Sequence, residues 1–435
     1  MRRWGLLVLA ACAPSTSELR RPVDTELAHR LGDDRPAAAI DTLLAHPLDA
    51  DAAVRIALAN SPRLLAALDQ LGIAGGELAT ALSLGPTQID LQLRFGHGHE
   101  YELDAVQGVL GLVTMPRRRA AAAAGLAAVQ ADATATALRL AGRVEIAFHD
   151  LLAAQQELEL RHTAFDAADA AATLRERMFA AGNTTELAQA RDRDAREQAR
   201  IDVARAQAAI EARREAVNAL LGLSGDRTNW TATGMLADPP AVAPRIDDLE
   251  IAAVRASLAL VAGNAQVEAA TDRLGAERLQ AWLPELGVGV SAIDRDGTTQ
   301  VGPALRLGLP IFDQRSGARA KARAEVHHAE HELAAVAVEL RAAARSARVA
   351  ALAAYEEARH LHDIVLPLRQ QIVDETLRHY NAMDADPFQL IVARRELVEG
   401  GHAYVEALRR YWNAMTEVAA LRRGALLTCR EESPC

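Results

Sequence analysis

The sequence predicts a mainly α-helical chain with a β-barrel part, built as a tandem repeat of helix, β-hairpin and long helical hairpin. Three observations carry this. First, the chain says nearly the same thing twice. VRIALANSPRLLAALDQLGIAGGELATALSLGPTQIDLQLRF begins at Val54, and VRASLALVAGNAQVEAATDRLGAERLQAWLPELGVGVSAI begins at Val254. Each copy is an Ala-rich helical stretch, a proline (Pro86, Pro284) and a β-like run. Second, Ile89 to Phe95 alternates apolar and polar residues strictly, the period of a strand with one oily and one wet face. Third, each copy continues into a helical stretch longer than a small domain is wide.

The elements follow in order. A helix is expected from Asp51 to about Leu84. The strand after Pro86 should face lipid with Ile89, Leu91, Leu93 and Phe95 and water with Asp90, Gln92 and Arg94. Gly96 to His99 makes the turn, and Leu103 to Val113 returns. After Pro116 the chain runs to Ala181 without proline, roughly 95 Å of helix. A turn at Ala181–Thr185 then sends a helix back. In the second copy Leu286, Val288 and Val290 mark the outgoing strand, Asp294 to Gly297 the turn, and Val301 to Leu309 the return. Two hairpins make no stable sheet alone in water, and in a bilayer their edges must close. The second long helix runs from about Arg315 to Tyr380, broken only by Pro367, and turns at Asn381–Pro387. In the last helix Leu390, Leu397, Tyr404, Tyr411 and Val418 stand seven apart, with Ile391, Val398, Val405, Trp412 and Ala419 beside them. That repeat is the mark of supercoiled helices.

Composition bounds the function. Aromatic residues are 3% of the 435, the mean hydropathy is −0.02 and the formal net charge is −10. Small side chains favour closely packed helices, and the negative charge argues against nucleic acid as a partner. No run of about 18 apolar residues predicts a membrane-spanning helix. The start, MRRWGLLVLAACAPSTSE, has two arginines, a short apolar run and LAAC, the pattern of an export signal with a lipoprotein box. Cys12 is therefore expected to carry a covalent lipid, and Ala13 after it permits outer-membrane sorting. Residues 1–11 read as signal, 12–48 as an extended tether, 49–225 as repeat one, 226–247 as a Pro-rich linker, 248–424 as repeat two and 425–435 as a tail. Cys429 and Cys435 in that tail could pair in an oxidising periplasm or stay free.

Order and short motifs together resemble the TolC-type outer-membrane efflux proteins. FAAGNTTELAQARDRDAREQARIDVARAQAAIEARREAVNALLGLSG looks like that family's first periplasmic turn and returning helix. LGLPIFDQRSGARAKARAEV looks like a strand entering the second long helix, and the segment from Ile364 to Gly424 like the C-terminal hairpin. Pro367 and Tyr380 fall where the family often has proline and tyrosine. The resemblance implies a homotrimer with a twelve-stranded barrel in the outer membrane and a helical tunnel through the periplasm. It implies a passive exit duct, fed by an inner-membrane pump through a periplasmic adaptor. The alternative, a periplasmic coiled-coil adaptor or scaffold, usually has one central hairpin rather than two in tandem.

Candidates for the periplasmic entrance are Tyr380, Asp384, Asp386 and Glu186. The family usually has glycine where Met383 stands, and Ala385 and Gln389 occupy positions where an arginine and an aspartate are common. Asp384 and Asp386 read equally as tip charges or as turn and cap residues. His97, His99 and Glu100 read as a polar turn, and His327, His328 and His331 as a solvated helix face, so no metal or other cofactor is expected. Trp282 reads as an interfacial aromatic. There is no phosphate loop, HExxH, GxSxG or Cys-x-x-Cys, and no enzyme is expected.

Overall fold

The computed structural model describes residues 15–32, 39–83, 87–95, 99–282, 285–295, 297–309 and 314–427. The signal, Cys12, His97, Cys429 and Cys435 lie outside them. The chain divides into two compact units, one from residues 1–30, 66–135 and 258–339, the other from 31–65, 136–257 and 340–435.

The first unit carries the sheet. Strands β1 (Thr87–Phe95), β2 (His99–Gly108), β3 (Glu285–Arg295) and β4 (Thr298–Gly308) pair antiparallel in chain order. Hairpins from the two repeats therefore join through β2 and β3, with Leu103 opposite Ala292 and Ala105 opposite Val290. The return strand starts at His99 and ends at Gly108, four to five residues before the expected span, and Val113 is already helical. The sheet register decides this: Phe95 pairs with His99, so β2 must return at once. Gly289 lets β2 and β3 approach, because a Cβ there would run into the Ala105 carbonyl.

The predicted tether contains structure. Helix α1 (Thr16–Leu31) buries Leu19 and Val23 against Leu71 and Ala133. Its start is a reciprocal cap: Ser15 N–H donates to the Glu18 carboxylate at 3.0 Å, and Glu18 N–H to Ser15 Oγ at 3.3 Å. The short α2 (Ile40–Leu44) follows.

The single expected helix over 51–84 is two, α3 (Ala50–Asn60) and α4 (Pro62–Ala81), split at Ser61. Pro62 disfavours helical geometry in the residue before it, and Ser61 has φ −65° and ψ 118°. The second repeat breaks identically between α7 (Leu249–Ala256) and α8 (Leu258–Trp282), where Ser257 has φ −59° and ψ 115° with no proline after it. Both serines are buried, so the bend belongs to the packing of the unit as much as to the proline.

Helix α5 (Leu110–Ala180) takes Pro116 inside its first turns and returns as α6 (Glu186–Leu221). The second long helix is α9 (Ser316–His360), a π-helical turn at Leu361–Val365, and α10 (Leu366–Asn381). Pro367 explains the widened turn. Its ring would press on the carbonyl four residues back, and an extra residue in the turn relieves that contact. Leu366 N–H bonds the Leu361 carbonyl five residues earlier.

In the second unit α11 (Pro387–Arg423) packs against α5 with its seven-residue repeat turned inward, Tyr411 and Val418 buried. Acid on α5 meets base on α11 along this contact: Glu145–Arg423 at 3.4 Å, Asp150–Arg409 at 2.9 Å and Glu157–His402. The expected linker 226–247 is packed. Trp230 is buried and donates Nε1–H to Asn218 Oδ1 at 2.7 Å, and Leu48 exchanges backbone hydrogen bonds with Thr231 and Thr233. Tyr355 and Trp412 donate to the Pro240 and Ala237 carbonyls.

Candidate functional site

Two features have functional chemistry: the two faces of the sheet, and the two turns at the far ends of the helical hairpins.

Directly paired residues of antiparallel strands share a face. On one face Ile89, Leu91 and Leu93 stand opposite Ala105, Leu103 and Tyr101. Across β3 and β4 the same face continues with Val288 opposite Leu305, Val290 opposite Pro303 and Ala292 opposite Val301. Most of these side chains are exposed, including Ile89, Leu91 and Leu93. The side chain of Phe95 lies outside the described residues.

The other face is polar. Asp90 stands opposite Asp104, Gln92 opposite Glu102, and Arg94 opposite Glu100. Arginines neutralise three of these four carboxylates: Arg94–Glu102 at 3.2 Å, Arg295–Glu100 at 3.1 Å and Arg306–Asp90 at 2.9 Å. Exposed pairs of this kind add little stability. Their effect is to make one face wettable while the other is oily. β1 and β4 are the sheet's edges, and among the described residues neither has a second strand on its outer side. Open edges are tolerable in water and costly in hydrocarbon, where no solvent satisfies the backbone.

At the helical tips, both turns use the same hydrogen bonds. Gly182 N–H bonds the Phe179 carbonyl and Asn183 N–H that of Met178; Met383 N–H bonds Tyr380 and Asp384 N–H bonds His379. The returning helices are capped alike: Thr185 Oγ1 accepts from Ala188 N–H at 3.2 Å, and the Asp386 carboxylate from Phe388 N–H at 2.9 Å. Asp386 is thus a cap. Asp384 is bound to His379 Nδ1 at 2.9 Å, while Tyr380 is exposed and its hydroxyl makes no hydrogen bond among the described residues. Glu186 is the first residue of α6, next to the cap. The four candidates therefore lie at the two tips, but no hydrogen bond joins Tyr380 to Asp384.

The bond between the tips belongs to a residue the sequence reading did not single out. Arg175 on α5 donates to Asp192 at 2.6 Å and Thr184 at 3.1 Å, and its guanidinium lies 3.3 Å from the centroid of the Phe388 ring on α11. Arg175 and Asp192 are mostly buried, which strengthens both contacts. The first hairpin is laced further by Arg196 with Asp169 and Glu176.

His327 bonds Glu330 at 3.2 Å, and no group of three or more His, Cys, Asp or Glu among the described residues is placed to hold a metal ion. Trp282 is 84% exposed at the end of α8, outside any core. No helix of the described residues is long and apolar enough to cross a membrane.

No protein-family model matches the chain. The cobalt-zinc-cadmium resistance protein CzcC of Cupriavidus metallidurans is 23% identical over 395 residues, 86% of this chain and 90% of that protein. Among solved structures, the outer membrane protein VceC of Vibrio cholerae superposes with a TM-score of 0.71 at 16% identity, covering 87% of this chain and 97% of VceC. The CmeC outer membrane channel of Campylobacter jejuni gives 0.71 at 14% identity, covering 88% and 87%. The chain therefore shares the fold of these outer-membrane proteins.

Proposed function

We propose that the protein is the outer-membrane channel of a tripartite efflux system, a passive exit duct that performs no chemistry of its own. The observation that carries this is the sheet: one face oily, one face charged, and both edges open. Four strands are too few to close a barrel, but three copies supply twelve, each β4 pairing with β1 of the next. Closure puts the apolar face on lipid and the arginine–carboxylate pairs around water. The fold neighbours VceC and CmeC, an outer membrane protein and an outer membrane channel by name, support the same placement.

The homotrimer would be held further by a lipid on Cys12, and its tips would meet a periplasmic adaptor and through it an inner-membrane pump. Glu186, Tyr380, Asp384 and Asp386 would surround the entrance there, with Arg175 bracing one hairpin to the other. The adaptor alternative is disfavoured by two hairpins and two strand pairs in tandem. Reconstitution in planar bilayers tests the reading: discrete conductance steps from a detergent-extracted trimer are expected, and a membrane-free protein without conductance would refute it.

A further inference from the structure

The oily side of the sheet continues past the strands. Where strands meet helices, large apolar side chains stay exposed: Leu112 and Val113 at the start of α5, Leu279 and Trp282 at the end of α8, and Leu309 after β4. Helices α5 and α8 run side by side here in opposite senses. Arg117 bonds Asp272 at 2.7 Å, and a Cβ on Gly275 would meet the Arg117 Cδ at 3.4 Å. The start of one helix and the end of the other therefore lie together, and the four exposed groups on them form one collar.

Two arginines lie on the same helix faces. Arg119 follows Leu112 by seven residues, two turns on, and Arg278 precedes Trp282 by four. Both are exposed, and neither makes a hydrogen bond or ion pair among the described residues. Their neighbours are engaged: Arg117 with Asp272, Arg118 with the Thr80 carbonyl, Arg315 with Glu277. The two arginines that share a face with the apolar collar thus keep their donors open among the described residues.

We propose that this collar is a binding site for anionic phospholipid in the inner leaflet of the outer membrane. Leu112, Val113, Leu279 and Trp282 enter the acyl boundary, and Arg119 and Arg278 take the phosphates. An aromatic ring at the headgroup level and a long cationic side chain reaching back to it are the residue types that this boundary favours. The planar guanidinium presents paired donors to a phosphate. The collar is continuous with the lipid-facing side of β1 to β4, so the inference rests on the channel reading.

The test uses the full-length trimer in vesicles containing phosphatidylglycerol brominated on its acyl chains near the headgroup. Tryptophan emission should be quenched, and Trp282→Phe should remove the quenchable part, since Trp230 is buried and Trp412 is half-buried with its Nε1–H on the Ala237 carbonyl. In native mass spectrometry, Arg119→Glu with Arg278→Glu should lose retained phosphatidylglycerol, with affinity about fivefold weaker for each arginine removed. The same reversal at Arg395 on α11 should change nothing. Unquenched Trp282, or retention unaffected by the double reversal in a conducting trimer, overturns the lipid site and leaves the channel standing. Failure of the wild type to form a conducting trimer overturns both.

Discussion

Gly182 and Met383 stand at the same place in the two tip turns, and both have positive φ, 76° and 62°. The shared hydrogen-bond pattern makes them equivalents across the repeat. Glycine adopts this geometry freely; a side chain does so at a cost of about 1 to 2 kcal/mol. The second turn therefore holds strain that the first lacks. Met383→Gly should stabilise that turn by about 1 kcal/mol, read as slower amide hydrogen exchange at Asp384. Exchange unchanged or faster would show that the strain is absent.

Arg175→Ala should free the second hairpin from the first, because one side chain carries both the Asp192 bond and the Phe388 stacking. Single-channel conductance should rise with the trimer intact. Arg175→Lys should fall between, keeping the charge but losing the planar fork. The double change Tyr380→Ala with Asp384→Ala should also raise conductance, but less, since neither residue bridges the hairpins. A larger effect from the double change would move the brace to those residues.

The oily face of the strands predicts an asymmetry between neighbours. Leu91→Arg puts a charge on the lipid side at a cost of about 2 to 4 kcal/mol, whereas Gln92→Arg stays in water beside Glu102. Trimer yield in outer-membrane fractions should drop for the first and hold for the second. Equal tolerance would refute the assignment of faces.

Burial pushes the His149 imidazole below its ordinary value, against the opposing influence of Asn413 and Asp150. An unfolded histidine takes up a proton near pH 6.5 that the folded one refuses, so stability is lost as pH falls through that value. Denaturant midpoints at about pH 7.5 and about pH 5.5 should therefore differ, and His149→Asn should shrink the difference. An identical pH dependence in the variant would remove His149 from the account.

Much of this architecture is legible in the residues because period is a strong signal. The alternation from Ile89 to Leu93 marks β1 and its oily face, and the sevenfold spacing through Tyr411 and Val418 marks the buried edge of α11. What stayed hidden depends on contacts distant in sequence. Ser257 bends the chain as Ser61 does, yet only Ser61 has a proline behind it. The cap of α1 was written as Ser15-Thr16-Ser17-Glu18, but the flanking Pro and Asp suggested an extended tether. Arg175 and Phe388 are 213 residues apart. One more arginine in a polar helix carries no spacing that could reveal the pair.

The central claim, that three copies close one membrane barrel, is tested most directly by the native mass of the detergent-extracted protein. A mass of three chains, retained lipid and conductance in a planar bilayer is the predicted result. A lipid-free monomer would contradict it, because a four-stranded sheet with both edges open cannot stay in a membrane alone.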